Sequence, residues 1–575
     1  MAFLQARTSR GNRYWSIVES CWENGKSKPR IVEYLGTAET LLDRLRGNGG
    51  KVEIKTYSHG DVAVLLNIGE QLGIVEILNR HIPTKKNGEP AQHDNLSVGA
   101  SMLLAALGRA CHPTSKRGWY DWCKDTSLEY LLRRSFAGLD SQHFWDQMEA
   151  IPVEAISKIE EEILQVLLKQ YDVKLDTLLL DATNFFTFIA SDNDRCTIAR
   201  RGKNKQRRID LRQVGLFLLV TRAEQFPLFH RTYQGNTNDA KLFSESFADI
   251  VSRLKAITKQ LTDVTLVFDK GNNSKKNFAM LDTNEELHYV ASLVPSYFKE
   301  LVSEANANLV VVKFRDEEIP AFRKTCEIWG KDRTCVVLLS EQLRDGQIRG
   351  INQTLEKVVP ALEKFRVQLE KRRQKNKLSK EDLEKRLDAI IDSPFIKDIV
   401  RYEIAESQGE LTFQHFIDAE AFQKLTADVL GRRILVTNRH QWSTEEIIAA
   451  YRAQSKVEYS FRNMKNPNHL ALRPQYHWTD QKIHVHFFLC VLGYLLTTCA
   501  YSTARKKAGY RKNTNSFLDD LKRIRLAIVA RTTSNKSTKT SISYQLEQLS
   551  PDLQCLAELF GLTDCSRRSN IKLSV

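Results

Sequence analysis

Proline and glycine are scarce in this sequence, at 13 and 26 of 575 residues, or 39 together and about 7%, against an average near 12%. That shortage excludes collagen-like and linker-rich chains. Disorder as the dominant state is excluded as well, because hydrophobic residues at 42% and charged residues at 27% are ordinary for a folded globular protein. Long apolar runs are missing too. The most apolar window, residues 487–496 and loosely on to 500, is headed by His484 and His486 and falls short of the roughly 20 residues a membrane span requires. It predicts a buried helix and no membrane. The first ten residues lack an apolar h-region, which predicts no secretory signal and a cytoplasmic location. Ten cysteines show no C-x-x-C and no zinc-finger spacing, so reduced, mostly buried thiols are expected.

What is present is length and positive charge. At roughly 100–200 residues per domain the chain predicts about three to five domains. Its 85 Lys and Arg against 70 Asp and Glu leave 85 − 70 = +15, with a pI near 9.2; this suggests a polyanionic partner.

Patterning divides the chain into segments. Residues 1–58 hold short β-type runs around a Glu23-Asn24-Gly25-Lys26 turn and read as a β-hairpin module. Across 59–170 apolar residues recur in steps of three and four, as in Ile156, Ile159, Ile163 and Leu167, predicting a helical unit. Residues 171–295 change period. Apolar runs at 174–181, 213–221 and 226–233 predict three strands. A capped helix bearing Phe243, Phe247, Ile250 and Leu254 comes next, and then a buried strand at 264–268. That order predicts an α/β core. Residues 296–430 add strands near 309–314, 326–329 and 334–339 and then a helical hairpin. Leu355, Val358, Leu362 and Phe365 lie at heptad spacing there, and Pro360 predicts a kink or restart. In 431–500 a strand at 433–437 precedes a strong helix from Ser443, which forms a capping box with Glu446. Residues 501–575 read as a basic, helical region. The fold class is therefore multidomain α+β.

Two acids end apolar runs: Asp181 in Leu-Leu-Leu-Asp and Asp269 in Leu-Val-Phe-Asp. The C-terminal ends of neighbouring strands are where an α/β sheet presents ligands, so two carboxylates there suit a shared divalent cation. An Asp that merely starts a turn reads the same way when taken singly. The helix from Ser443 carries Tyr451, Glu458 and Lys465 at seven-residue intervals, about 20° out of register along one face. Gln454 lies one turn before Glu458. A solvated face with casual charges is the plain alternative for any isolated helix.

Together these residues resemble the DDE transposases of bacterial insertion sequences, in the branch whose ribonuclease H-like core is interrupted before its last acid. That family has an Asp after its first core strand, a second Asp after a later strand, and a Glu in the signature Tyr-x2-Arg-x3-Glu-x6-Lys. Tyr451, Glu458 and Lys465 match, and Gln454 stands where the family usually has Arg. The likeness extends to Asp210-Leu211-Arg212-Gln213 and to Gly235-Asn236-Thr237-Asn238-Asp239. The resemblance implies that Asp181, Asp269 and Glu458 are catalytic and hold two Mg²⁺ ions, with Mn²⁺ able to substitute. It also implies that the interval of 458 − 269 = 189 residues holds an insertion domain. It assigns Tyr451, Gln454, Arg462 and Lys465 to DNA, and residues 59–170 to element ends. The partners it implies are terminal inverted-repeat DNA, target DNA and a second copy in a synaptic homodimer, in the bacterial cytoplasm with the nucleoid.

Basic segments fit a DNA partner. Residues 200–208 hold six cations in nine, namely Arg200, Arg201, Lys203, Lys205, Arg207 and Arg208, and residues 371–380 hold six in ten. Such side chains fix phosphate position without reading sequence. A Mg²⁺-dependent nuclease without strand transfer, and a non-catalytic DNA-binding relative, remain open at this point, since fold does not dictate function.

Overall fold

The strands expected between residues 171 and 437 all meet in one nine-stranded sheet in the computed structural model, joined by an unexpected strand at Leu287–Leu293. Residues 2–9, 11–23, 26–45, 51–83, 92–190, 192–204, 206, 208–258, 263–371, 378–407, 410–473, 475–533 and 539–574 are described. The chain divides into two compact units, residues 1–155 with 466–474 and 492–575, and residues 156–465 with 475–491.

The second unit holds the large sheet. Its strands in chain order are β1 (Thr177–Phe186), β2 (Gln213–Thr221), β3 (Pro227–Gln234), β4 (Val264–Phe268), β5 (Leu287–Leu293), β6 (Val310–Phe314), β7 (Glu317–Ile328) and β8 (Lys331–Leu339). A separate hairpin, β9 (Val400–Ser407) and β10 (Glu410–Ile417), comes next, and β11 (Arg432–Thr437) returns to the sheet. The order across the sheet is β6-β7-β8-β11-β5-β4-β1-β2-β3. β1, β4 and β5 run parallel, and all other neighbours are antiparallel.

The apolar runs explain this placement. Every residue of β2 and β4 is buried, as continuous apolar strands require when both sheet faces are covered. Helix α1 (Ala155–Gln170) precedes β1, and helix α2 (Asp239–Ile257) links β3 to β4. The expected α2 stripe of Phe243, Phe247, Ile250 and Leu254 is buried, and Asn238 caps the helix by accepting from the Ala240 N–H. Each such side chain contributes roughly 1.5–3 kcal/mol. Glu160 of α1 bonds His230 of β3 and Arg253 of α2, the latter at 3.2 Å. Burial alone would push this carboxyl up, but His230 and Arg253 outweigh burial and hold it below the usual range. Helix α3 (Lys275–Asp282) links β4 to β5.

The interval assigned to an insertion does not stand apart as a whole. Its strands β6, β7 and β8 extend the core sheet, because β8 pairs with β11 along Thr334–Leu339. The chain beyond β8 forms a layer with its own apolar core, in which helix α4 (Glu341–Glu370) and helix α5 (Lys380–Ile391) pack Val358, Leu362, Leu383 and Leu387 with Phe413 of β10. Pro360 neither ends nor restarts α4, which runs unbroken for 30 residues. Val358 and Leu362 on either side are buried, and that packing offsets the missing backbone donor.

In the first unit the N-terminal module is a three-stranded sheet, Ala2–Ser9, Asn12–Glu23 and Lys26–Thr37, one strand more than the expected hairpin. The C-terminal region departs from its helical reading. Arg525–Thr533 and Lys539–Leu546 form a hairpin, and Lys51–Ser58 pairs with its first strand across nearly five hundred residues of chain. Helix Val98–Cys111 is buried along all 14 residues, so its Met102–Leu107 stripe is core.

Candidate active site

The spacing of the two acids equals the register of the strands that carry them. β1 and β4 pair with Thr265 opposite Thr177 and Val267 opposite Leu179, an offset of 265 − 177 = 88. Asp269 and Asp181 are separated by the same 269 − 181 = 88 residues. Continued two residues past the last paired residues, that register brings them level on neighbouring parallel strands, which lie about 4.8 Å apart in the hydrogen-bonding direction. Asp181 does not end its strand as expected; β1 runs on to Phe186 because β2 accompanies it that far. Asp269 does come directly after its strand, opening the Lys270–Asn272 turn. On the other side of β4, Phe268 lies opposite Ala291 of β5, an offset of 291 − 268 = 23. Ser292 is thus level with Asp269, making a row of Asp181, Asp269 and Ser292 across three strands.

Two helices lie over this row. The single helix expected from Ser443 is divided into α6 (Thr444–Arg452) and α7 (Ser455–Lys465). Its ladder tightens at the junction, where the N–H groups of Gln454, Lys456 and Val457 donate three residues back to Tyr451, Ala453 and Gln454. With the helix divided there, the common face expected for Tyr451 and Glu458 is not kept: Tyr451 is buried and Glu458 exposed. α6 packs on β4, β5 and β11, whereas α7 packs on β1 and β2.

Tyr451 and Gln454, expected at DNA, turn inward. The Tyr451 hydroxyl lies 3.2 Å from Asp269 Oδ1 and 3.0 Å from Ser292 Oγ. Burial, reinforced by the Asp269 charge, pushes the phenol up to about 12. Gln454 Nε2 donates to the Leu180 carbonyl at 2.8 Å, pinning β1 next to Asp181. Lys465 Nζ donates to Thr183 Oγ1 at 2.5 Å and sits 5.2 Å over the Phe185 ring. Glu458, in the first turn of α7, is exposed, as is Arg462. Among the described residues no three His, Cys, Asp or Glu side chains form a group able to hold a metal ion. Asp181, Asp269 and Glu458 are thus not gathered into one chelate. The two level aspartates still fit Mg²⁺ by chemistry, since this hard ion is commonly held by one or two carboxylates together with water and substrate phosphate.

A cleft of about 490 Å³ opens beside Asp181, lined by Thr183, Asn184, Lys203, Tyr233, Asp239 and Lys465 among others. The Tyr233 ring lies flat across Gly215 of β2, where a Cβ would run into it, and its hydroxyl donates to Asn184 Oδ1 at 3.3 Å. Burial first, then the charges of Asp239 and Asp181, raise this phenol. Asp239 is therefore a further acid at the cleft, and its chemistry was invisible in a segment that reads as a helix start. The basic loop borders the same cleft. Gln213 Nε2 ties it down by donating to the carbonyls of Gly235 (2.7 Å) and Lys203 (3.3 Å). Arg200, Arg201, Lys203 and Arg208 are exposed, and Arg208 forms a bidentate pair with Asp210 at 2.8 and 2.7 Å. Lys205 and Arg207, and residues 372–377 of the second basic cluster, lie outside the described residues.

One other constellation has catalytic spacing. Ser101 Oγ lies 3.0 Å from His143 Nε2, and His143 Nδ1 lies 3.0 Å from Asp94 Oδ2, as in a nucleophilic triad. Ser101 is fully buried and donates to the Ser97 carbonyl; closed off from substrate, the chain of bonds is structural.

No protein-family model and no curated protein matches the sequence. Among solved structures the chain is similar to the piggyBac transposase in a cryo-EM synaptic complex with hairpin DNA, with a TM-score of 0.40 and 9% identity over 81% of this chain and 80% of that chain.

Proposed function

We propose that the chain is a DDE-type DNA transposase of a bacterial insertion sequence, cutting element ends and joining them to target DNA. The observation that supports this reading is the shared 88-residue offset: the register of the parallel strands β1 and β4, continued two residues, leads to Asp181 and Asp269 together. Three antiparallel strands, a helix and further strands parallel to the first agree with the ribonuclease H-like core that the sequence resemblance implies. In this reading Asp181, Asp269 and Glu458 would hold two Mg²⁺ ions, for which Mn²⁺ could substitute. When bound, such a pair activates the attacking oxygen and stabilises the leaving one in an in-line displacement. The protein's own part is to hold the carboxylates level, to exclude slack in β1 through Gln454, and to offer Lys465, Arg462 and the loop cations to phosphates. Element ends, target DNA and a second copy in a synaptic dimer are the proposed partners, in the cytoplasm with the nucleoid. The exposed, separate position of Glu458 favours a second reading, a DNA-binding relative without catalysis.

A plasmid carrying the genomic flanks of the coding region, incubated with the full chain, a target plasmid and Mg²⁺, decides between them. The expected result is cleavage at the flanks and joining to target, both reduced more than about 100-fold by Asp181→Asn, Asp269→Asn or Glu458→Gln, beyond the range seen for residues outside a metal's direct ligands. Cleavage without joining would assign a nuclease. Binding without cleavage would assign the non-catalytic relative.

A further inference from the structure

We propose that Ser292 and Tyr451 are positioning residues for Asp269, holding its Oδ1 so that Oδ2 is the oxygen turned toward Asp181 and offered to a divalent cation. The inference rests on the proposed metal-binding role of Asp269 and adds two residues to it, one of which, Ser292, carries no mark in the sequence.

Three contacts close a triangle. Ser292 Oγ donates to Asp269 Oδ1 at 2.9 Å, Tyr451 OH lies 3.2 Å from the same oxygen, and Tyr451 OH lies 3.0 Å from Ser292 Oγ. Each hydroxyl has one proton. Ser292 spends its proton on Asp269, and Tyr451 shares its own between Asp269 and Ser292. Both bonds to the carboxylate fall on Oδ1. Because Ser292 belongs to β5, they draw Oδ1 to the β5 side of β4, and β1 with Asp181 lies on the other side. Oδ2 keeps its lone pairs for a cation.

The residue types suit the task. Ser292 is 3% exposed and Tyr451 8%, so water does not compete for these bonds and a buried network of this kind is rigid. Both donors are uncharged, so they orient the carboxylate without repelling a divalent ion, as a lysine in the same place would. The Tyr451 ring is itself held, with the Arg433 guanidinium 5.2 Å from its centre. The tightened junction between α6 and α7 acquires a purpose here: α6 delivers Tyr451 to β4 and β5, and α7 is left to track β1.

The test is Mn²⁺ binding to the full chain without DNA, read from the electron paramagnetic resonance signal of free Mn²⁺. Ser292→Ala and Tyr451→Phe are each expected to weaken binding about 10-fold or more, the range for residues that orient a metal ligand. Ser292→Thr, which keeps the hydroxyl, is expected to stay near wild type. Tyr451→Phe preserves the ring beneath Arg433, so it isolates the hydroxyl should Ser292→Ala fail to fold. If Asp269→Asn abolishes binding while Ser292→Ala and Tyr451→Phe leave it within about twofold, the positioning role is overturned and the metal role of Asp269 stands. If Asp269→Asn has no effect, or the wild-type chain binds no Mn²⁺ at millimolar concentration, both fall.

Discussion

Gly215 shapes the cleft by lacking a side chain. The Tyr233 ring occupies the place of its absent Cβ, and from there its hydroxyl reaches Asn184. Gly215→Ala is expected to cost about 1–3 kcal/mol, the usual range for overpacking, measured as a lower denaturant midpoint, and to displace Tyr233 from Asn184. His59 of the first unit sets a pH dependence. Burial, with Arg568 adding, lowers it from 6.5 to about 4. Between those values the unfolded chain binds a proton that the folded chain refuses, so stability falls as pH drops from 6.5 through 4 and levels off below. The gap is worth roughly 3 kcal/mol. Asp61 nearby, pushed up by burial, has the opposite slope; the check is therefore the stability of wild type minus that of His59→Asn, which should fall by roughly that amount between pH 6.5 and 4 and be flat outside that window. At this scale Asp181 and Asp269 were legible because an acid closing an apolar run is a local pattern. The inward turn of Tyr451 and Gln454 was not, because the direction of a helical side chain depends on which strand the helix covers.

Elements were legible where their ends are chemically marked. The Ser443 capping box forms as expected, Ser443 N–H donating to Glu446 Oε2 at 2.7 Å and Glu446 N–H to Ser443 Oγ at 3.2 Å. Ser443→Ala is expected to cost about 1 kcal/mol by chemical denaturation. The break after Arg452 has no such mark: the sequence Tyr-Arg-Ala-Gln-Ser-Lys holds neither proline nor glycine, and competing contacts on different strands impose it. The loop 200–208 gives an element-scale prediction that rests on DNA binding. Arg200→Ala, Arg201→Ala and Lys203→Ala should each reduce the slope of log affinity against log salt by about 0.9, read by fluorescence anisotropy on duplex DNA. Arg208→Ala should change it less, because Asp210 already holds that guanidinium.

Across the whole molecule, the layer after β8 has a core distinct from the sheet, built from Val358, Leu362, Leu383, Leu387, Ile391 and Phe413. Amides of α4, α5, β9 and β10 are expected to exchange hydrogen as one group, at lower protection than those of β1, β2 and β4; equal protection in native-state exchange would show a single cooperative unit. The sequence by itself determined the local matters: apolar runs, caps, the acids that close two runs, the signature spacing and a +15 charge gathered in segments. These depend on neighbours in the chain, so they can be read along it. Only the tertiary structure decided that β6 to β8 join the core sheet, that Lys51–Ser58 pairs with Arg525–Thr533, that Ser292 meets Asp269, and that the register of β1 and β4 leads to Asp181 and Asp269 together. Strand register and partner are chosen by the burial and hydrogen bonding of segments remote in sequence, and no pattern within one segment records that choice.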